Sequence, residues 1–119
     1  MARLSIGIDL VQVSRIEGSV AQFGERFLAR VFTPDELAYA RDKPDSLAAR
    51  FAAKEAAKKA LALDGVGWRD VEVVRADSGA CSIQLHGEAA RLAGPAELAV
   101  SLSHEADFAT AVVVAQVTP

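Results

Sequence analysis

The stretch Arg50-Phe51-Ala52-Ala53-Lys54-Glu55-Ala56-Ala57-Lys58-Lys59-Ala60-Leu61 decides the fold. Ala, Leu, Lys and Glu dominate it and no Gly or Pro interrupts it, so it predicts one long helix. Glu55 and Lys59 are four residues apart and share a face, with Phe51 one turn earlier on the same stripe. Phe51, Glu55 and Ala62 form one line, with Lys58 and Lys59 to either side. Two readings follow. One is an ordinary surface helix whose Glu55–Lys59 ion pair is worth only about 0.3–0.5 kcal/mol. The other is a polar site mounted on a rigid rod.

Upstream of this helix, Leu4 to Val13 reads as a strand in which Ile6, Ile8 and Leu10 alternate with Ser5, Gly7 and Asp9. Gly7 and Asp9 are residues that strands disfavour, and Gly7 allows close approach of another backbone or a ligand. Ser14-Arg15-Ile16-Glu17 has capping-box spacing and predicts a helix to about Phe23, ended by Gly24. Glu25 to Val31 is a short helical segment. Thr33-Pro34-Asp35-Glu36 is a second capping box, with Pro at the first helical position, and opens a helix to about Arg41. Lys43-Pro44-Asp45-Ser46 breaks the chain, with Asp45 or Ser46 capping the central helix.

Downstream the character changes. Leu63 to Trp68 reads as a loop. Asp70 to Ala76 and Ala80 to His86 alternate with period two about Asp77-Ser78-Gly79 and predict a hairpin. Glu88 to Ala93 predicts a short helix. Glu97 to Ser103 and Phe108 to Val117 predict two further strands, joined by His104-Glu105-Ala106-Asp107. The last strand is almost continuously apolar and is expected to be central and buried on both faces. The fold class is therefore α+β, an antiparallel sheet packed against a long central helix.

A chain of 119 residues predicts one domain spanning residues 1–119. A net charge of −3 argues against a dedicated nucleic-acid binder. No stretch approaches the ~18 apolar residues of a membrane span. The single cysteine, Cys81, excludes an internal disulfide and fits a reducing compartment. Asp9 interrupts the apolar run that a signal peptide needs. Together these predict a cytoplasmic protein with neither nucleic acid nor membrane as partner. Five phenylalanines, one tyrosine and one tryptophan leave Ala, Val and Leu to fill the core. A small domain of that kind often gains core by oligomerising.

Asp9 alone reads either as a strand-end carboxylate facing water or as a hard-cation ligand. Mg²⁺ takes one or two protein carboxylates plus waters and substrate phosphates, so the second reading needs a partner acid. Glu55 is the candidate. An acid with two lysines beside it suits a phosphate group. Ser101-Leu102-Ser103-His104 ends a strand. A nucleophilic Ser–His pair is a poor reading there, because Ser103 and His104 point to opposite sides of the strand. His104 is either solvent-facing or a phosphate or ribose contact. His86, His104 and Cys81 lack zinc-ligand spacing. Arg15, Arg26 and Arg30, interleaved with Glu17 and Glu25, form either a solvated face or a docking surface for an acidic partner.

Gly7-Ile8-Asp9-Leu10-Val11, Phe32-Thr33-Pro34-Asp35-Glu36-Leu37, Arg50-Phe51-Ala52-Ala53-Lys54-Glu55-Ala56 with Lys59-Ala60-Leu61, and Ser101-Leu102-Ser103-His104 occur in that order. Together they resemble the holo-acyl-carrier-protein synthases, the small single-domain 4′-phosphopantetheinyl transferases. The resemblance runs over almost the whole chain. It implies transfer of the phosphopantetheine arm of coenzyme A to a serine hydroxyl of an apo acyl-carrier protein, with release of adenosine 3′,5′-bisphosphate. By the same resemblance, Asp9 and Glu55 are Mg²⁺ ligands and Lys59 contacts the pyrophosphate. Arg50 and His104 lie near the coenzyme A nucleotide, Lys58 is an additional cation at the phosphate, and Arg15 meets the acidic helix of the carrier. Glu55 or a metal-bound water removes the serine proton. A homotrimer with sites built across two subunits is also implied, its second-half strands packed about the three-fold axis. Two positions depart from the family pattern. Ala62-Leu63-Asp64 replaces a Gly-Thr-Gly loop, and Gly79-Ala80-Cys81 replaces Gly-x-Pro in the hairpin. The alternative is a module of the same fold that binds carrier protein or coenzyme A without turnover.

Overall fold

The structure, a computed structural model, describes residues 2–118. Strand β1 (Arg3–Gln12) leads directly into helix α1 (Val13–Phe23). Helices α2 (Glu25–Val31) and α3 (Pro34–Ala40) follow, then the long α4 (Pro44–Leu61). A single 3₁₀ turn (Trp68–Asp70) opens the second half. It continues with β2 (Val71–Arg75), β3 (Cys81–Leu85), α5 (Gly87–Ala93), β4 (Ala96–Glu105) and β5 (Phe108–Val117). The first sheet is antiparallel, in the order β1-β5-β4, while β2 and β3 form a separate hairpin. Helix α4 packs across β1 and β5, which is the predicted α+β arrangement.

Backbone contact sets the spacing between helix and sheet. A Cβ on Gly7 would lie 2.0 Å from the Ala56 carbonyl oxygen and 2.8 Å from the Ala60 nitrogen. Only glycine permits that approach. Ala52, Ala53, Ala56, Ala57 and Ala60 form the buried face of α4, against Ala111, Val113 and Ala115 of β5 and Val71 and Val73 of β2. Small residues on both sides bring the layers close, as close-packed interiors require. A second cluster gathers α1, α2 and α3 around Phe32, Leu28, Val31, Leu37 and Leu47.

Three expectations need correction. The Ser14–Glu17 capping box does not form. The α1 helix starts at Val13, and Ser14 instead bonds to Asp107 of the β4–β5 turn. Neither Asp45 nor Ser46 caps α4, because Pro44 takes the first helical position, where its missing N–H costs nothing. Strand β5 is central but buried on one face only. Ala109, Ala111, Val113 and Ala115 face the helices, while Val114 on the other side is 37% exposed. The helices cover only that one face. On the uncovered face β1 presents Leu4, Ile6, Ile8 and Leu10, each at least 63% exposed. The capping box at Thr33 and Glu36 does form, both of its bonds present.

Candidate active site

The orientation of β1 follows from Gly7. With Gly7 against α4, Ser5 and Asp9 share that face. The Ser5 hydroxyl donates to the Ala60 carbonyl at 2.5 Å. Asp9, one turn of strand further on, receives the Lys59 ammonium at 3.0 Å on Oδ1. Lys59 Nζ also donates to the Ile8 carbonyl at 3.0 Å. The Thr110 hydroxyl donates to the Asp9 carbonyl at 2.8 Å and ties this end of β1 to β5. Lys59 thus pairs with Asp9 rather than with Glu55 four residues earlier. Glu55 forms no ion pair among the described residues.

Asp9 and Glu55 line one open cleft of about 340 Å³, together with Arg15, Ser19 and Phe51. Two carboxylates and a guanidinium from β1, α4 and α1 therefore meet at one place. The donor set is oxygen only, which suits a hard cation. No cluster of three or more His, Cys, Asp or Glu able to hold a metal occurs among the described residues.

The other predicted residues lie elsewhere on the chain. Arg50 is 4% exposed and lines a different cavity, of about 560 Å³, with Asp35, Tyr39, Glu72 and Arg75. Its guanidinium lies 4.5 Å from the Tyr39 ring centre, Arg75 lies at 4.4 Å and Lys43 at 4.3 Å. Arg50 Nε is buried without a hydrogen-bond partner, and burial holds the Arg50 guanidinium below its usual range. None of these three cations forms an ion pair among the described residues. His104 lines a third cavity with Leu10 and Phe108, and its Nδ1 lies 3.5 Å from Asp45. Lys58 lies 4.1 Å from the Trp68 ring centre and donates to the Val66 carbonyl at 3.0 Å. Trp68 in turn packs on Phe51, the aromatic wall of the acidic cleft.

One feature escaped the reading of the sequence. Lys54, beside Glu55, is fully buried and pairs with equally buried Glu36 at 2.7 Å. Its ammonium also donates to the Val71 carbonyl at 2.6 Å and the Trp68 carbonyl at 3.2 Å. Glu36 accepts from the Thr33 and Val73 amides, each at 2.8 Å. Burial lowers the Lys54 ammonium from its usual range, against the opposing pull of Glu36. The polar chain continues from the Thr33 hydroxyl to Glu72 at 2.7 Å, and from Glu72 to His86 Nε2 at 2.9 Å. Burial pushes the Glu72 carboxyl up, but its bonds to Thr33 and His86 outweigh this and hold it below the ordinary range. A sequence signal existed. Lys54 lies on the line from Leu47 to Leu61, where an apolar residue belongs.

A family model described as the 4′-phosphopantetheinyl transferase superfamily matches residues 5–113. The chain belongs to that superfamily. A holo-[acyl-carrier-protein] synthase from Moorella thermoacetica is 49% identical, over 92% of this chain and 91% of the relative. The ACPS–CoA complex from Chronobacterium ammoniagenes superposes with a TM-score of 0.88 at 32% identity, over 98% of this chain and 99% of that one. The holo-[acyl-carrier-protein] synthase from Helicobacter pylori, in complex with coenzyme A, superposes with a TM-score of 0.86 at 38% identity, over 92% of this chain and 98% of that one. This chain thus keeps the fold of those structures over 92–98% of its length.

Proposed function

We propose that this chain moves the phosphopantetheine arm of coenzyme A onto a serine hydroxyl of an apo acyl-carrier protein, in the presence of Mg²⁺. The observation that carries the proposal is the meeting of Asp9 and Glu55 in one cleft beside Arg15, with Lys59 on Asp9. Asp9 and Glu55 are the residues that would hold Mg²⁺. A bound Mg²⁺ would supply charge neutralisation at the phosphoryl oxygens. The carrier serine oxygen forms a bond to the β-phosphorus, and the bond to the bridging pyrophosphate oxygen breaks. The electron pair leaves with adenosine 3′,5′-bisphosphate. Glu55, the cleft acid without an ion pair, takes the serine proton. Lys59 is half exposed and able to swing from Asp9 to the leaving phosphate. Lys58 adds a second cation there once it leaves the Val66 carbonyl. Arg15 receives the acidic carrier, with Arg26 and Arg30 extending the basic face along a groove shared with Phe23 and Phe27.

The nucleotide is assigned to the Arg50 cavity and to His104. The unpartnered Arg50 Nε and the two further cations around Tyr39 favour phosphate. The Arg50 cavity shares no lining residue with the acidic cleft. A second copy placing its Arg50 cavity beside the first copy's Asp9 would complete the site. The bare face of Leu4, Ile6, Ile8 and Leu10 supports a homotrimer closed about that face. It is led by β1, from the first half of the chain, with β5 beside it. Coenzyme A consumption and the lone thiol Cys81 fit work in the cytoplasm.

The test incubates purified chain with coenzyme A, Mg²⁺ and apo acyl-carrier protein and reads the carrier mass. The expected result is a carrier heavier by one phosphopantetheine. Asp9→Asn is expected to abolish the shift while circular dichroism stays unchanged. Carrier binding with no shift at any Mg²⁺ concentration would instead identify a binding module.

A further inference from the structure

Asp107 lies in the turn between β4 and β5, yet it takes the donors at the start of α1. Its Oδ1 accepts the Ser14 amide at 2.9 Å and its Oδ2 accepts the Ser14 hydroxyl at 2.7 Å. Its carbonyl accepts the Val13 amide at 2.8 Å. The helix has no cap of its own, because Gln12 makes no side-chain bond at the preceding position. A helix start leaves its first amides without partners, and a carboxylate there also meets the positive end of the helix dipole. Asp107 supplies both from the far end of the chain.

The turn that holds Asp107 is constrained. Ala106 sits at φ 52°, a left-handed conformation rare for a residue with a side chain. Such a residue persists where its surroundings over-determine it. The α1 helix, held in this way, contributes Arg15, Ile16 and Ser19 to the wall of the cleft containing Asp9 and Glu55. Arg15 follows the doubly bonded Ser14 directly. On the other side of the turn, His104 lies near the end of β4. One short turn thus connects the docking helix to the strand that carries His104.

We infer that Asp107 is a positioning residue for the transfer, fixing the start of α1 so that Arg15 presents the carrier to the two acids. The inference rests on the reading of α1 as the carrier-docking helix. Loss of the carboxylate leaves α1 present but loosens its first turn. The effect falls on the macromolecular substrate and spares coenzyme A.

The test measures KM for coenzyme A and for apo acyl-carrier protein separately, with kcat, for Asp107→Ala, Asp107→Asn, Ser14→Ala and Arg15→Ala. Asp107→Ala is expected to raise the carrier KM about tenfold, the scale of a lost helix cap. The coenzyme A KM is expected to stay within about twofold. Asp107→Asn keeps one acceptor and gives a smaller rise, and Ser14→Ala, which loses only the hydroxyl bond, the smallest. A merely structural role would lower the melting temperature and the active fraction, moving kcat and neither KM. An unchanged carrier KM, or an equal rise in both KM values, overturns the inference. If Asp107→Ala does not fold, Asp107→Asn and Ser14→Ala decide by the same split. Arg15→Ala with an unchanged carrier KM also overturns the inference, since Arg15 is the group that Asp107 is held to place, while carrier transfer by the unaltered chain keeps the proposed function separate from that outcome.

Discussion

Lys54 and Glu55 are neighbours on one helix and have opposite surroundings. Lys54 points into the protein, is fully buried and is satisfied by Glu36 and two carbonyl groups. Glu55 points into an open cleft beside Asp9 and has no ion pair among the described residues. A helix turns about 100° per residue, so adjacent positions on α4 serve different sides of the molecule. The closed side ties α4 to α3, the 3₁₀ turn and β2. The open side holds charge that the fold does not consume. A charged group that packing already satisfies reads as architecture, and one left over in a cleft reads as chemistry.

The largest effect is expected on the closed side. Lys54→Met leaves the Glu36 carboxylate buried without its cation. Removing one partner of such a pair costs about 3–5 kcal/mol. Chemical denaturation is expected to show a loss of that order. A loss below about 1 kcal/mol, the range of surface pairs, would mean that Lys54 is not buried as described. On the open side, Glu55→Gln is expected to lower kcat by about 10²–10³-fold or more, as removal of a charge-handling group does. Its stability should change by no more than about 0.5 kcal/mol, because half-buried Glu55 has no ion pair to lose among the described residues.

A smaller effect belongs to the exit of the same helix. Ala62 ends α4 in the left-handed conformation, at φ 54°, while the Ala62 and Leu63 amides both bond to the Lys58 carbonyl. Glycine relieves about 1–2 kcal/mol of strain there. It also gives back about 0.5–1 kcal/mol through a more flexible unfolded chain. Ala62→Gly is therefore expected to gain roughly 0.5–1 kcal/mol in a thermal melt. A lower melting temperature would show that the position carries no strain.

The smallest effect concerns pH. Glu72 is held below its ordinary value of 4.5 in the folded chain. Its contribution is therefore complete above that value and is lost as pH falls through the lower folded one. Glu72→Gln is expected to lower stability at neutral pH and to flatten the acid limb of the stability–pH curve. Parallel acid limbs in the two proteins would remove Glu72 from the pH-dependent network.

Much of the architecture was legible in local signals. The uninterrupted Ala-Lys-Glu-Leu run located α4, period-two alternation located β2 and β3, and the spacing of Thr33 and Glu36 located the start of α3. Asp9 and Glu55 were each ambiguous alone, and the resemblance joined them before the cleft did. What escaped depended on distant partners. Ser14 had the spacing of a local cap, but Asp107 outcompetes it from the β4–β5 turn. Lys54 looked like one lysine among three until Glu36 arrived from α3. Alternation in β1 showed two faces without saying which is buried. Gly7 against Ala56 decides that, and it turns the isoleucines outward. The resemblance placed Arg50 near the coenzyme A nucleotide and implied sites built across two subunits, and within one chain Arg50 and the two acids line separate cavities.

If the open face of α4 performs the transfer while its closed face maintains the fold, Glu55→Gln separates activity from stability. Carrier mass measured over time with Glu55→Gln, alongside its melting temperature and with Mg²⁺ and coenzyme A in excess, tests both halves together. The expected result is a melting temperature equal to that of the unaltered chain and a carrier converted at least about 100-fold more slowly than by the unaltered chain. A carrier converted at the wild-type rate by a fully folded Glu55→Gln protein would contradict it.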